Sequence, residues 1–255
     1  YLGIDCGTQS TKTIALDGES GRILTSAAQS YDVLPGLPPG HMEQDPKTWI
    51  DALEVTIGQV VTALGKRSGE IRGIGISGQQ HGFVPLDRDD AVIRPAKLWC
   101  DTSTAEECDL ARAHFGGTKA LVERVGLDML PGFTAPKILW LKRHEPKHFA
   151  KLATVMLPHD YLNFFLTGVS RMEFGDASGT ALMNVRTRQW DADILKFIDP
   201  ALAEKMPPLG SSRQPMGTLK PELAKRWNLP ADVVVSAGGG DNMMGAIGTS
   251  NISPG

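Results

Sequence analysis

Two short segments carry the residue types from which phosphate chemistry is built. Asp5-Cys6-Gly7-Thr8-Gln9-Ser10-Thr11-Lys12 sets a carboxylate at the end of an apolar run, follows it with a Gly/Thr/Ser turn and closes with a lysine. Such a hairpin can aim backbone N–H groups and hydroxyls across Gly7, Thr8, Gln9 and Ser10 at phosphate oxygens, with Lys12 beside them, while Asp5 holds Mg2+ through water. The same composition also serves a plain turn with a solvated Lys12, so both readings stand for the hairpin alone. Far along the chain, Gly238-Gly239-Gly240-Asp241-Asn242 has a related arrangement. Its glycines let another group approach the backbone closely, and Asp241 and Asn242 emerge where a helix begins, a place at which Asp241 also suits an N-cap.

These residues need elements to hold them. Tyr1 to Asp5 reads as a strand, Gly7 to Thr11 as a turn and Lys12 to Leu16 as a returning strand; Asp17 to Gly21 turns again before Arg22 to Ala28, a β-meander. A helix follows, with Asp45 as N-cap, Pro46 at its first position, Trp49, Leu53, Ile57, Val60 and Leu64 at helical spacing, and Gly65 at its end. Ile71 to Ile76 reads as a buried strand, and Gln79-Gln80-His81-Gly82 as the polar tip of a second hairpin returning through Phe83 to Leu86. From Ser103 to about Leu202 the signals are mainly helical, with Ala135 to Leu141 and Tyr161 to Leu166 the clearest runs. Val233 to Ala237 is strand-like, runs into the glycines, and gives way to a helix start at Met243 to Ile247. The sum is an α/β layered domain with a helical insertion.

Two familiar patterns fail in context. Gly73-Ile74-Gly75-Ile76-Ser77-Gly78 matches G-x-G-x-x-G, but its glycines lie inside a strand rather than between a strand and a helix N-terminus. His144-Glu145-Pro146-Lys147-His148 spells H-E-x-x-H, yet a proline inside that turn costs about 3 kcal/mol, so one helix is expected to end near His144 and another to start at Pro146. Neither a G-x-S-x-G elbow nor a Walker loop occurs.

Composition narrows the partners. With 255 residues, 41% hydrophobic, 22% charged and a net charge of −3, the chain is an ordinary globular one rather than a disordered one. No apolar stretch reaches the roughly 18 residues that span a bilayer, so no membrane is expected. Without a basic excess no nucleic acid is expected either, which leaves a small molecule as partner. Cys6, Cys100 and Cys108 are too few and scattered for a disulfide framework or a cysteine zinc site, and a reducing, cytoplasmic setting is expected.

In chain order, five blocks resemble the FGGY carbohydrate kinases, most closely their xylulokinase branch. Asp5-x-Gly7-Thr8 is similar to the family's phosphate loop, and Ser77-Gly78-Gln79-Gln80-His81-Gly82 to its pentulose-binding loop. Gly132-Phe133-Thr134-Ala135-Pro136-Lys137-Ile138-Leu139-Trp140 resembles the long signature, and Leu157-Pro158-His159-Asp160-Tyr161-Leu162 with Leu166-Thr167-Gly168 a further block. Gly239-Gly240-Asp241-Asn242 resembles the segment of the catalytic base. Cys100, Ser103 and His159 depart from the family's usual Asn or Asp, Arg and Lys.

The resemblance implies an N-terminal, actin-like (ribonuclease H-like) α/β domain with a mixed sheet, in which residues 103–202 form a mostly helical subdomain. It implies ATP-dependent phosphorylation of a ketopentose, D-xylulose first, at its terminal hydroxyl. Asp241 would be the base, and with Asp5 would face Mg2+ through water. Gly7, Thr8, Gln9, Ser10 and Lys12 would face ATP phosphates. Gln80, His81, Asp101 and Asn242 would bond sugar hydroxyls, and Trp99 either walls the sugar site or packs in the core. The rival readings are a kinase of ribulose, glycerol or gluconate, and a non-catalytic actin-like or sugar-sensing module. Family members are about twice as long and hold adenosine in a second domain. This chain alone is therefore expected to bind sugar weakly and turn over little or nothing, and a homodimer is left open.

Overall fold

The computed structural model describes residues 1–251 and Ser253. Strands β1 (Leu2–Cys6), β2 (Ser10–Leu16) and β3 (Ile23–Ser30) form the expected antiparallel meander. Each strand alternates: Leu2, Ile4 and Cys6 of β1 and Thr11, Thr13 and Ala15 of β2 are buried, which turns Asp5 and Lys12 to the opposite face. Helix α1 (Pro46–Leu64) covers the buried face. The Asp45 carboxylate caps it by accepting from the Lys47 N–H, Pro46 sits in its first turn, and Gly65 ends it. Its Trp49, Leu53, Ile57 and Val60 join Leu2, Ile4, Ile74 and Ile76 in one apolar core.

Strand β4 (Gly73–Gly78) runs parallel to β1 on the side away from β2. It is followed by β5 (Val84–Leu86), then α2 (Ala105–Phe115), α3 (Thr118–Val125), α4 (Thr134–His144), α5 (Pro146–Phe149), β6 (Thr154–Met156), α6 (Pro158–Thr167), α7 (Phe174–Ser178) and α8 (Ala192–Ile198). The chain returns to the main sheet through β7 (Gly217–Thr218), α9 (Pro221–Arg226), β8 (Val234–Val235) and β9 (Gly239–Gly240), and ends in α10 (Asp241–Gly248). Sheet order is β7-β8-β4-β1-β2-β3, with β9 also on β4; β1, β8 and β9 are parallel to β4 and the other pairings antiparallel, a mixed sheet. Side chains of α2, α3, α4 and α8, among them Ala111, Leu121, Ile138 and Ile194, gather in a second apolar cluster.

Three local expectations change. Gln79–Gly82 is not a hairpin tip: both edges of β4 are taken, by β1 and by β8 with β9, so β5 pairs instead with β6. The strand expected over Val233 to Ala237 shortens to Val234–Val235. Gly238 then turns at φ +64° with its Cα against the Ile76 carbonyl, a place no side chain fits. Asp241 is the first residue of α10, with Gly240 in the capping position. The H-E-x-x-H segment divides as expected, α4 ending at His144 and α5 starting at Pro146. Among the described residues no helix is long and apolar enough to cross a membrane, and the three cysteines are free.

Candidate active site

Parallel pairing brings three distant segments to one sheet edge. Asp5 aligns with Ser77 and Ser77 with Gly239; Cys6 aligns with Gly78 and Gly78 with Gly240. The turn after β1, the loop after β4 and the helix after β9 therefore leave side by side from carboxyl ends of strands, where open α/β sheets bind ligands.

The first turn is braced from behind. The Gly7 N–H donates to the Ser10 carbonyl at 3.0 Å, the Tyr31 hydroxyl to the Gly7 carbonyl at 2.8 Å, and Gln44 Nε2 to the Thr8 carbonyl at 2.7 Å. The N–H groups of Thr8 and Gln9 have no acceptor among the described residues and stay available to a ligand, while the turn's carbonyls are engaged. Thr8 Oγ1 donates to Gln79 Oε1 at 3.1 Å and receives Trp99 Nε1 at 3.0 Å. Gln44 Oε1, fixed by Trp49 Nε1 at 2.9 Å, also receives Gln79 Nε2 at 3.2 Å. Asp5 accepts Ser77 Oγ at 3.2 Å and is exposed, with Lys12 across the β1–β2 ladder.

At the other segment the Asn242 N–H donates to Asp241 Oδ1 at 2.8 Å, and Asn242 Nδ2 donates to Gln80 Oε1 at 2.8 Å. Gln80 lies flat on Gly240: a Cβ there would stand 2.6 Å from Gln80 Cδ. Partial burial raises the Asp241 carboxyl above the ordinary carboxylate value; the Asn242 N–H opposes the rise, and the charges of Asp176 and Asp5 add to it. Trp99 is 51% exposed, so it forms a wall of this edge and not part of the core.

His81 packs edge-on to Phe133, with ring centroids 4.7 Å apart, and its Nδ1 is buried without a partner. Burial lowers its pKa, with Lys137 adding to that effect and Asp176 opposing it, which keeps the imidazole neutral at pH 7. The ring rests on Gly179, where a Cβ would stand 2.7 Å from His81 Nδ1. Gly179 has an ordinary right-handed φ of −81°, so Gly179→Ala tests this contact without backbone strain. The expected result is a loss of about 1–3 kcal/mol in urea unfolding together with shifted His81 imidazole resonances; unchanged stability and unmoved resonances would contradict the packing.

One expected site residue lies elsewhere. Asp101 is completely buried, and its carboxylate accepts from Lys97 Nζ at 3.0 Å, the Met42 N–H at 2.9 Å, the Ser103 N–H at 3.0 Å and Ser103 Oγ at 2.6 Å. With both oxygens engaged it has nothing left to offer a sugar hydroxyl; it anchors the segment that carries Trp99. Lys97 also sits 3.1 Å from Glu43 and 3.9 Å from the Trp140 ring centre, so its ammonium fills the acidic cluster of His41, Glu43 and Asp101.

Beneath the site, His159 is wholly buried against Gly78, its Nδ1 2.6 Å from Asp176 Oδ2 and its Nε2 3.2 Å from Asp160 Oδ1. Asp176 Oδ1 is buried and unpartnered. Gln44, Asp176 and Gly179 were not among the expected site residues, and single polar residues or glycines at such separations carry no local signal; Gln79 lay within the expected loop, but its bonds to Thr8 and Gln44 were not foreseen.

The profile of the FGGY family of carbohydrate kinases, N-terminal domain, matches residues 1–248. The xylulose kinase of Haemophilus influenzae is 44% identical over 262 residues, which cover 100% of this chain and 53% of that protein. Among solved structures, one described as a xyloylose kinase from Brucella ovis superposes with a TM-score of 0.94 at 38% identity, covering 100% of this chain and 51% of that one. The gluconate kinase of Lactobacillus acidophilus superposes with a TM-score of 0.90 at 25% identity, covering 98% and 49%. The chain thus spans about half the length of the curated relatives it matches. Its mixed sheet, the convergence of three strand ends and the match along nearly its whole length make it a member of the FGGY family of carbohydrate kinases, with the actin-like fold of the family's N-terminal domain.

Proposed function

We propose that this chain forms the sugar-binding lobe of a kinase that moves the γ-phosphoryl group of ATP to the terminal hydroxyl of D-xylulose. The observation that carries the reading is the convergence of Asp241, Asn242 and Gln80 with the Thr8–Trp99 pair and Asp5 on one sheet edge. In the reaction the hydroxyl oxygen bonds to phosphorus, the bond from phosphorus to the ADP oxygen breaks, and Asp241 receives the hydroxyl proton. Phosphoryl transfer is loose, so that proton moves late and the orientation of Asp241 matters more than its basicity. Asn242 and Gln80 align the sugar, and the neutral His81 exchanges a hydrogen bond with a hydroxyl. The unengaged N–H groups of Thr8 and Gln9, with Gly7, Ser10 and Lys12 around them, donate to phosphate oxygens.

Asp5 and Asp241 fit Mg2+ held through water. They are hard oxygen donors whose charges repel each other, and the three-ligand clusters among the described residues lie elsewhere. When bound, the ion neutralises charge on the phosphate oxygens. Adenosine belongs, in this proposal, to the half of the relatives' length that the chain does not match. The helical segment 103–202 serves as a subdomain that brings Phe133, Lys137 and Gly179 to the sugar. A cytoplasmic setting completes the proposal, supported by the free thiols.

The identity with the xylulose kinase of Haemophilus influenzae favours D-xylulose, while the likeness to a gluconate kinase defines the alternative to test. A panel of D-xylulose, D-ribulose, glycerol and gluconate, followed by thermal shift on this chain and by ADP release in a protein carrying both lobes, separates the two. The expected result is the largest shift and the fastest release with D-xylulose. A shift with another member and none with D-xylulose would overturn the substrate, and robust turnover by the 255-residue chain alone would overturn the need for a second lobe.

A further inference from the structure

His81 stands in the left-handed region at φ +62°, a conformation that a non-glycine residue keeps only when its surroundings impose it. What imposes it comes from one segment. Lys137 Nζ donates to the His81 carbonyl at 2.7 Å and to the Gly132 carbonyl at 2.6 Å, and Thr134 Oγ1 reaches the same His81 carbonyl at 3.3 Å. Phe133, between them, packs on the imidazole. Gly132 in turn lies on the Trp99 carbonyl so closely that it has no room for a side chain. One ammonium therefore ties the backbones of two walls of the site, His81 directly and Trp99 through Gly132.

Lys137 is an unusual choice for stability alone. It is wholly buried, and among the described residues it forms no ion pair with a carboxylate; its acceptors are main-chain carbonyls. Burial lowers its pKa to about 7, the mark of an ammonium held where charge is disfavoured. An apolar side chain of equal length would fill the space without that cost.

We propose that Lys137 is a positioning residue of the sugar site, holding the His81 carbonyl and the Gly132 turn so that the His81 imidazole and Trp99 face the same sugar. The assignment rests on the proposed sugar-binding function and deepens it.

The test is D-xylulose binding to this chain, followed by chemical-shift titration with the histidine imidazole signals as local reporters, and unfolding without sugar measured in parallel. Lys137→Met is expected to weaken D-xylulose binding by about 10- to 50-fold, the range for losing a charged donor, and to shift the His81 imidazole signal in the free protein. In a His81→Ala background the same change should weaken binding clearly less, because the part exerted through His81 is already gone and only the part exerted through Gly132 and Trp99 remains. A structural role alone predicts equal losses in both backgrounds and would overturn the proposal, as would unchanged affinity in Lys137→Met. If Lys137→Met does not fold, Thr134→Val removes only the second donor to the His81 carbonyl and should give a smaller loss in the same parameter; no loss there overturns the assignment. Failure of the unaltered chain to bind D-xylulose while binding another sugar of the panel overturns the substrate, and the variants are then read with that sugar. Failure to bind any of them overturns both readings together.

Discussion

Asp241→Asn, made in a protein that carries both lobes, is expected to lower turnover with D-xylulose and ATP by about 10³-fold while sugar affinity changes little. The amide keeps the size of the carboxylate but cannot accept the hydroxyl proton. Sugar affinity survives because Asn242 and Gln80, joined at 2.8 Å, still present their groups to the hydroxyls, and the Gly240–Gln80 packing is untouched. Steady-state ADP release gives the turnover and calorimetric titration gives the affinity. More than about a tenth of the original turnover would remove Asp241 from the role of base. The variant also loses the negative charge that Asp5 and Asp176 repel, so stability should hold or rise slightly.

His159→Ala should have the largest effect on stability, a loss of about 3–5 kcal/mol in urea unfolding, because it leaves Asp176 buried without its partner cation. Burial by itself disfavours the imidazolium, but Asp160 and Asp176 with Glu173 outweigh it and raise His159 to about 9. A histidine whose folded pKa exceeds its unfolded value of about 6.5 stabilises the fold fully below that value, and the contribution fades as pH rises through about 9. Asp160, raised to about 7 chiefly by burial, works in the same direction over a lower window, from its unfolded value near 4 up to about 7. Stability of the unaltered chain should therefore decline from acid toward alkaline pH in two steps. A profile that is flat between pH 7 and 9 in the unaltered chain would contradict the pairing.

The residues differ in how far their surroundings could be read from neighbours in the chain. Helix α1 was fully legible, since Asp45, Pro46, the spacing from Trp49 to Leu64 and Gly65 are all local signals. So was the meander, whose alternation already separates Asp5 and Lys12 from the core. The segment Gln79–Gly82 was misread because a strand followed by a polar turn is a hairpin only if an edge is free, and β4 has none. Asp101 was misread because its near partners, Lys97 and Ser103, form no recognised pattern and its fourth bond comes from the Met42 N–H, 59 positions away, so nothing in Trp99-Cys100-Asp101 says that both carboxylate oxygens are taken. The contact of Asn242 with Gln80 spans 162 positions, beyond any periodicity, and only the resemblance to a family brought those two residues into one site.

Strand β4 also acts as a ruler. Asp5 rides on β1 and Asp241 follows directly after β9, and both strands are hydrogen-bonded to β4 in fixed register, so two ladder spacings of about 4.8 Å separate the strands that carry the acidic groups. Such a gauge stretches only if hydrogen bonds break. A tilt of the sheet as a whole leaves the interval between these strands the same. Whatever moves around the site has to do so outside this strip, leaving its three strand ends as the stationary jaw.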